Sequence, residues 1–323
     1  MKNILVFVLL LTVNLVYSQT TKLNLASDVW PPFTDVATNH AFALDLVHEA
    51  LARANVQEHT DITDFKKVMD GIGNKKFDGS AALWHSPERE KYLLFSEPYL
   101  ENRLILVGKK GSDVSADTLS ELKGKRIAVV ESYAYGSLPD QADSIVLVQG
   151  SSDQQNLERL LKGDVDYMLT DALLIEYLFK YQGREAAQYL EIGTHTLLRL
   201  PLYFAIRKDI TGAEKIIENF NEEIKKMIAN GVYNQILQLN WVSSDVDGDG
   251  LTELVLSGDK AGTEAPINSY SVMSPTGAAS KDSRYVIEGK LYSNWTAVPD
   301  KYKVPQNTTT NQDKQDFGLV FKF

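Results

Sequence analysis

The chain has 323 residues, 44% of them hydrophobic, with 43 Asp and Glu against 33 Lys and Arg and no Cys. A net charge of -10 argues against nucleic acid or an anionic lipid surface as partner. Without Cys there are no disulfides, thiolate catalysis, zinc–thiolate sites or lipoprotein anchor, so a secreted form must rely on its core, and this length can supply one.

The opening segment, MKNILVFVLLLTVNLVYSQT, carries Lys2, an apolar run from Ile4 and then Ser18. That is the pattern of a secretory signal peptide, with cleavage expected after Ser18. The apolar run is short for a membrane span, and no later segment approaches the ~20 apolar residues a span requires. A secreted chain of this size without disulfides suits a bacterial periplasm, not lipid-anchored.

KLNLASDVWPPF predicts a strand (Leu23, Leu25) that breaks at Pro31-Pro32. ALDLVHEALARAN sets Leu44, Val47, Leu51 and Ala54 on one helical face. DFKKVMDGIGNKKFDG predicts a helix leading to Gly, then the apolar strand SAAL, and NRLILVGKK a strand that leaves this unit near Lys109-Lys110. A second set follows. TLSELKGKRIAVVES reads as a short helix, a Lys-Gly turn and a buried strand, Ile127–Val130. QQNLERLLKGDVDYMLTDALLIEYLFKY reads as helix, turn, strand at Val165–Thr170 and a helix starting at Asp171. LPLYFAIRKD returns as a strand, and an amphipathic helix ending on Gly231 with a short partner closes the section.

Alternating strand and helix predicts an α/β fold. The sub-pattern of helix, Gly, FDG or VDY, apolar strand and charged helix start occurs twice. Two lobes explain that better than one long sheet, and ligands then belong in the crevice between them at the carboxyl ends of the strands.

After Trp241 the composition turns acidic and Gly-rich, then rich in Ser, Thr, Asn, Pro and Tyr. The strand-like pieces YVIEGKLY and FGLVFKF predict a small β-type appendage. In DVDGDGLTE, Asp245, Asp247 and Asp249 alternate, so a tight loop can turn three carboxylates inward as Ca²⁺ requires. Glu253 stands at the ninth position, whereas an EF-hand needs a Glu at the twelfth, which here is Leu256. The loop resembles the short calcium loops of FG-GAP-type repeats, with a structural role; a solvated Asp/Gly turn is the other reading. The five His residues show no metal-ligand spacing.

VWPPFT, GKRIAVVES, LLKGDVDYMLTD and above all SPEREKYLLFSEPY resemble, in order and spacing, the bacterial extracellular solute-binding proteins of family 3. The resemblance runs from about Lys22 to Trp241. It implies a two-lobed periplasmic-binding-protein fold of type II, with residues 22–108 and 203–242 in lobe 1, 109–202 in lobe 2 and 243–323 as a C-terminal extension. It further implies a monomer that closes on a small-molecule ligand and is read by an ABC permease or a membrane sensor.

Carried over residue by residue, the resemblance makes Trp30 the aromatic that stacks on the ligand. Arg89 of SPER becomes the fork for a ligand carboxylate, and Asp171 the acid for an ammonium. Two departures stand beside this. Residues 78–89 are one residue shorter than in amino-acid receptors, with Ala82, Leu83 and Trp84 in place of hydroxyls. ESYAYG brings Tyr133 and Tyr135 where those receptors have Gly-Thr. An aromatic cleft of Trp30, Trp84, Tyr133 and Tyr135 suits an aromatic or carboxylated ligand better than an ordinary α-amino acid. Structural roles stand open at each position. Arg89 can pair with Glu88, Glu90 or Glu97, Asp171 can simply cap its helix, Trp84 can pack, and an extended chain turns only one of the two tyrosines to the ligand.

Three functions follow: a periplasmic solute-binding protein for uptake or sensing; an enzyme on the same scaffold, such as a cyclohexadienyl dehydratase with an acid like Glu131; and a calcium-stabilised interaction module.

Overall fold

The structure is a computed structural model that describes residues 21–30, 32–34, 41–131, 133–135, 145–266, 269–272 and 282–305. The expected signal peptide, residues 1–18, and the FGLVFKF segment lie outside them.

Apolar alternation buries Leu23 and Leu25 in β1 (Thr21–Ser27). α1 (Phe42–Arg53) follows and buries Phe42, Leu46, Val47 and Leu51. β2 (Val56–Ile62) lies parallel to β1; only Val56 of VQEHTDI is buried, so its sequence carries little strand signal. α2 (Phe65–Gly73) is capped by the Asp64 side chain, which accepts from the Lys67 amide. Every residue of β3 (Gly79–Trp84) is buried. A Cβ on Gly79 would sit 2.0 Å from the Ala205 carbonyl oxygen, so only Gly permits this approach of two strands. α3 (Pro87–Glu90), β4 (Leu93–Phe95) and the ten-residue β5 (Leu100–Lys109) complete the first run.

The second run holds β6 (Arg126–Val130), β7 (Val146–Gly150), α4 (Asp153–Lys162), β8 (Tyr167–Asp171) and α5 (Ala172–Tyr189). Gly163, at φ 86, ends α4 in the left-handed conformation that favours Gly. β9 (Leu190–Arg207) is 18 residues long. The return strand expected from Leu200 therefore starts ten residues earlier, because the polar EIGTHTLLR stretch hides it. α6 (Ala213–Ala229) and α7 (Val232–Ile236) pack back on the first lobe, α6 against α1.

The main sheet runs β2-β1-β3-β9-β5-β8-β6-β7, with β4 also on β9. β5 and β9 pair antiparallel from Leu100↔Leu202 to Lys109↔Leu190. β9 joins β3 over Leu202–Ile206, while β5 joins β8 from Leu104 onward. The two lobes are thus strung on one two-stranded ribbon, and the chain passes between them around residues 100–104 and 198–202. No helix among the described residues is long and apolar enough to cross a membrane.

The extension is a separate five-stranded sheet, in the order β12-β10-β11-β13-β14. Its strands are β10 (Trp241–Ser244), β11 (Glu253–Leu256), β12 (Tyr270–Ser271), β13 (Arg284–Ile287) and β14 (Lys290–Tyr292). Trp241, Leu254, Tyr285 and Ile287 form its own small core. β12 leans on the interlobe ribbon. The Tyr270 hydroxyl donates to the Glu101 carbonyl at 3.1 Å, the Arg103 guanidinium donates to the Ser271 carbonyl, and the same guanidinium lies 4.8 Å from the Tyr270 ring centre.

Candidate binding cleft and acidic loop

The turn after β1 is tied to itself by hydrogen bonds. The Trp30 and Thr34 backbones bridge each other, and the Thr34 hydroxyl donates to the Asp28 carbonyl at 2.7 Å. That turn holds Trp30, 7% exposed, under the opposite lobe. Trp84, at the end of β3, meets it edge-on with centres 5.6 Å apart. From the second lobe, Tyr133 packs at 5.5 Å on Trp30 and 5.3 Å on Trp84, and Tyr135 at 5.3 Å on Trp84. The four aromatics expected at the cleft therefore meet in one cluster. Both tyrosines enter it, because residues 133–135 are not in a strand and their side chains need not alternate.

Polar groups lock this cluster. The Tyr133 hydroxyl donates to Asp28 at 2.8 Å, and the Val130 amide donates to the Tyr135 hydroxyl at 2.8 Å. The Trp84 indole N–H donates to Asn102 Oδ1 at 2.9 Å, and Asn102 Nδ2 donates to Asp171 Oδ2 at 3.1 Å. Asp171 also accepts from the Arg103 amide at 2.8 Å and caps α5 by accepting from the Leu173 amide at 2.7 Å. It lies at the cleft wall with both carboxylate oxygens in use. Burial pushes its carboxyl up to about 7 against the hydrogen bonds that lower it.

Arg89 lies beside the aromatic cluster and donates to the Trp84 carbonyl at 2.5 Å. Its guanidinium lies 5.2 Å from the centre of the Phe65 ring. Desolvation lowers its pKa from the ordinary guanidinium value, and Asp28 is among the anions that offset this.

The rings leave little space. One cavity of about 20 Å³ lies among Asp28, Trp30, Phe65, Trp84, Arg89 and Tyr133. Another, of about 10 Å³, lies among Trp30, Trp84, Tyr133, Tyr135, Asp153 and Asp171. Neither cavity holds a solute the size of an amino acid with the rings in these positions.

Asp28, Phe65, Asn102 and Asp153 were not singled out by the sequence. Asp153 begins α4 and accepts from the Thr170 hydroxyl at 2.9 Å. Burial raises its carboxyl to about 6, with repulsion from Asp28 in the same direction. Burial raises Asp28 as well, opposed first by the Tyr133 hydrogen bond. Glu131, the candidate acid of the enzyme reading, is exposed at the end of β6.

In the extension, carboxylate oxygens of Asp245, Asp247 and Glu253 lie within 4.8 Å of one another. Asp245 accepts from the Gly248 and Gly250 amides at 2.7 and 2.9 Å. Asp249 faces Arg284, which forks onto it at 2.6 and 2.9 Å and also bonds Glu253. That guanidinium holds Asp249 down to about 2. The hard oxygens fit calcium in kind, and Arg284 of β13 already brings a cation to the loop.

Two lobes of mixed sheet and helix on a two-stranded ribbon, with a cleft lined from both sides, define the class of two-lobed periplasmic binding proteins. The chain belongs to the bacterial extracellular solute-binding proteins, family 3, whose model matches residues 23–243. It is similar to ABC transporter arginine-binding protein 1 of Escherichia coli (strain K12), 25% identical over 243 residues, 73% of this chain and 97% of that one. It is also similar to membrane-bound lytic murein transglycosylase F of Desulfosudis oleivorans, 29% identical over 172 residues, 51% of this chain and 36% of that one. Among solved structures, an ancestral arginine-binding protein bound to arginine matches with TM-score 0.56 and 25% identity, covering 67% of this chain and 96% of that chain.

Proposed function

We propose that this chain is a periplasmic solute receptor, without catalysis, whose lobes close on a small polar, amino-acid-like or aromatic and carboxylated ligand. The observation that carries the reading is the interlocking of Trp30 and Trp84 from one lobe with Tyr133 and Tyr135 from the other. Ligand then contacts Trp30, Trp84, Arg89, Tyr133, Tyr135 and Asp171, and the closed surface is read by an ABC permease or a membrane sensor. The arginine-binding relative and the arginine-bound ancestral structure support an amino-acid-like solute. The receptor acts as a monomer, delivered by its signal peptide.

The relative that is an enzyme by name shares 51% of this chain, so the test must also read turnover. A melting screen against free amino acids, aromatic acids, polyamines and sugars decides the first point, since a ligand that binds the native state raises the melting temperature. No shift with any of them overturns the receptor reading. A stabilising ligand that is consumed over hours overturns the absence of catalysis.

The FG-GAP-like loop is, in this reading, a structural calcium site. Asp245, Asp247, Asp249 and Glu253 would hold the ion, supported by the convergence of three of those carboxylates.

A further inference from the structure

Phe42 of α1 and Tyr177 of α5 stack across the lobe boundary, with ring centres 4.5 Å apart and planes inclined by 24°, and both are buried. Neither lines the cleft cavities. α1 is tied to the turn that carries Trp30: the Phe42 amide donates to the Pro32 carbonyl at 2.9 Å, and the Ala43 amide to the Phe33 carbonyl at 2.9 Å. Tyr177 stands six residues after Asp171, the N-cap of α5 at the cleft wall, about 9 Å along the helix. The stack therefore lies beside the cleft and off the ribbon. The lobes cannot turn about their crossings without moving one ring past the other.

The Tyr177 hydroxyl reaches further, to the Leu237 carbonyl at the end of α7. That helix is five residues long, and together with its C-cap Leu237 it holds three parts of the molecule. The Tyr233 hydroxyl donates to the Tyr99 carbonyl in lobe 1 at 2.8 Å. Asn234 Nδ2 donates to the Val255 carbonyl of β11, in the extension, at 2.8 Å. Leu237 receives Tyr177 from lobe 2. Tyr233 and Asn234 are fully buried, so a shift of α7 passes to packed neighbours and not to water.

We propose that Tyr177 is a clasp between the lobes, separate from the solute cleft, and that α7 couples it to the extension, which thereby responds to whether the lobes are closed. The clasp biases the resting equilibrium without fixing it. One neutral hydrogen bond shifts the closed-to-open ratio by roughly twofold to tenfold, which leaves open molecules for a solute to close. Opening parts Tyr177 from Leu237, frees the end of α7 and loosens its hold on β11.

Small-angle X-ray scattering and amide hydrogen exchange of the ligand-free full chain test this, whatever the solute proves to be. Tyr177→Leu removes the ring and the hydroxyl. Its radius of gyration should exceed that of the parent chain, and exchange of the β11 amides should rise roughly threefold or more, with β1 amides unchanged as the sign of an intact fold. Tyr177→Phe keeps the stack and should move both readouts the same way by less; it carries the test if the leucine variant does not fold. Asn234→Ala removes the tie to β11 and leaves Tyr177 in place, so β11 should exchange faster at an unchanged radius. The double variant Tyr177→Leu/Asn234→Ala should exchange at β11 no faster than Asn234→Ala, because both changes act through one connection. A radius unchanged in both Tyr177 variants overturns the clasp. A larger radius with β11 exchange at the parent rate, or additive effects in the double variant, overturns the coupling through α7.

Discussion

The Tyr133 hydroxyl reaches from the second lobe to Asp28 in the first, 2.8 Å away, and closes the cleft with a bond to a buried acid. Hydrogen bonds to charged groups contribute roughly 1.5–3 kcal/mol. Tyr133→Phe keeps the ring contacts and removes this bond. Its melting temperature should fall by about 2–5 °C, using the scaling for a chain of this size. An unchanged melting temperature in a calorimetric scan would mean that the bond does not hold the lobes together.

Acid should stabilise the closed lobes. Burial raises Asp153 to about 6 and Asp171 to about 7, and raises Asp28 as well. The folded state then binds more protons than the unfolded chain between pH ~4 and 7, so stability is present below that window and lost as pH rises through it. Carboxylates lowered by their partners, such as Asp249 at about 2, act in the opposite sense, mainly below pH ~4.5. Melting should therefore fall from pH 4.5 to 8, and Asp153→Asn should flatten the slope. A melting temperature that rises over this range contradicts the buried acids.

The extension touches the interlobe ribbon at Tyr270 and Ser271, and this makes its influence testable. Tyr270→Phe removes the bond to the Glu101 carbonyl and leaves every cleft side chain in place. Arg103, gripped by β12, also donates its amide to Asp171. Stability should drop by about 1 kcal/mol in a denaturant titration, and solute affinity should weaken with it. Affinity identical to that of the parent chain would make the extension a passenger on the hinge.

Much of the cleft was legible in short stretches. Trp30 before Pro-Pro, Trp84 and Arg89 around SPER, and Asp171 before an apolar helix are local patterns, and each lands at the cleft. The tyrosines were found through ESYAYG, although alternation suggested that only one would face inward. Asp28 and Asp153 were not found, because an acid at a strand end or helix start looks like an ordinary cap until burial is known. β2 and the first half of β9 are too polar to read as strands, and their place depends on long-range pairing. Arg284 lies 31 residues beyond Glu253, and only the β11–β13 pairing brings it to the acidic loop.

That loop makes a prediction of its own. A calcium ion and the Arg284 guanidinium draw on the same carboxylates. Arg284→Ala should lower the melting temperature in EDTA by several degrees, since it leaves the buried Glu253 without its ion pair, and millimolar calcium should restore it. No response to calcium in either protein means that the loop is an arginine-stapled turn.

Ligand-driven closure is tested most directly by small-angle X-ray scattering of the full chain, titrated with L-arginine or whichever probe raises the melting temperature most. Closure of the lobes on a solute predicts a radius of gyration that falls with occupancy and reaches a plateau at one equivalent. A radius that stays constant while calorimetry reports saturation would contradict it.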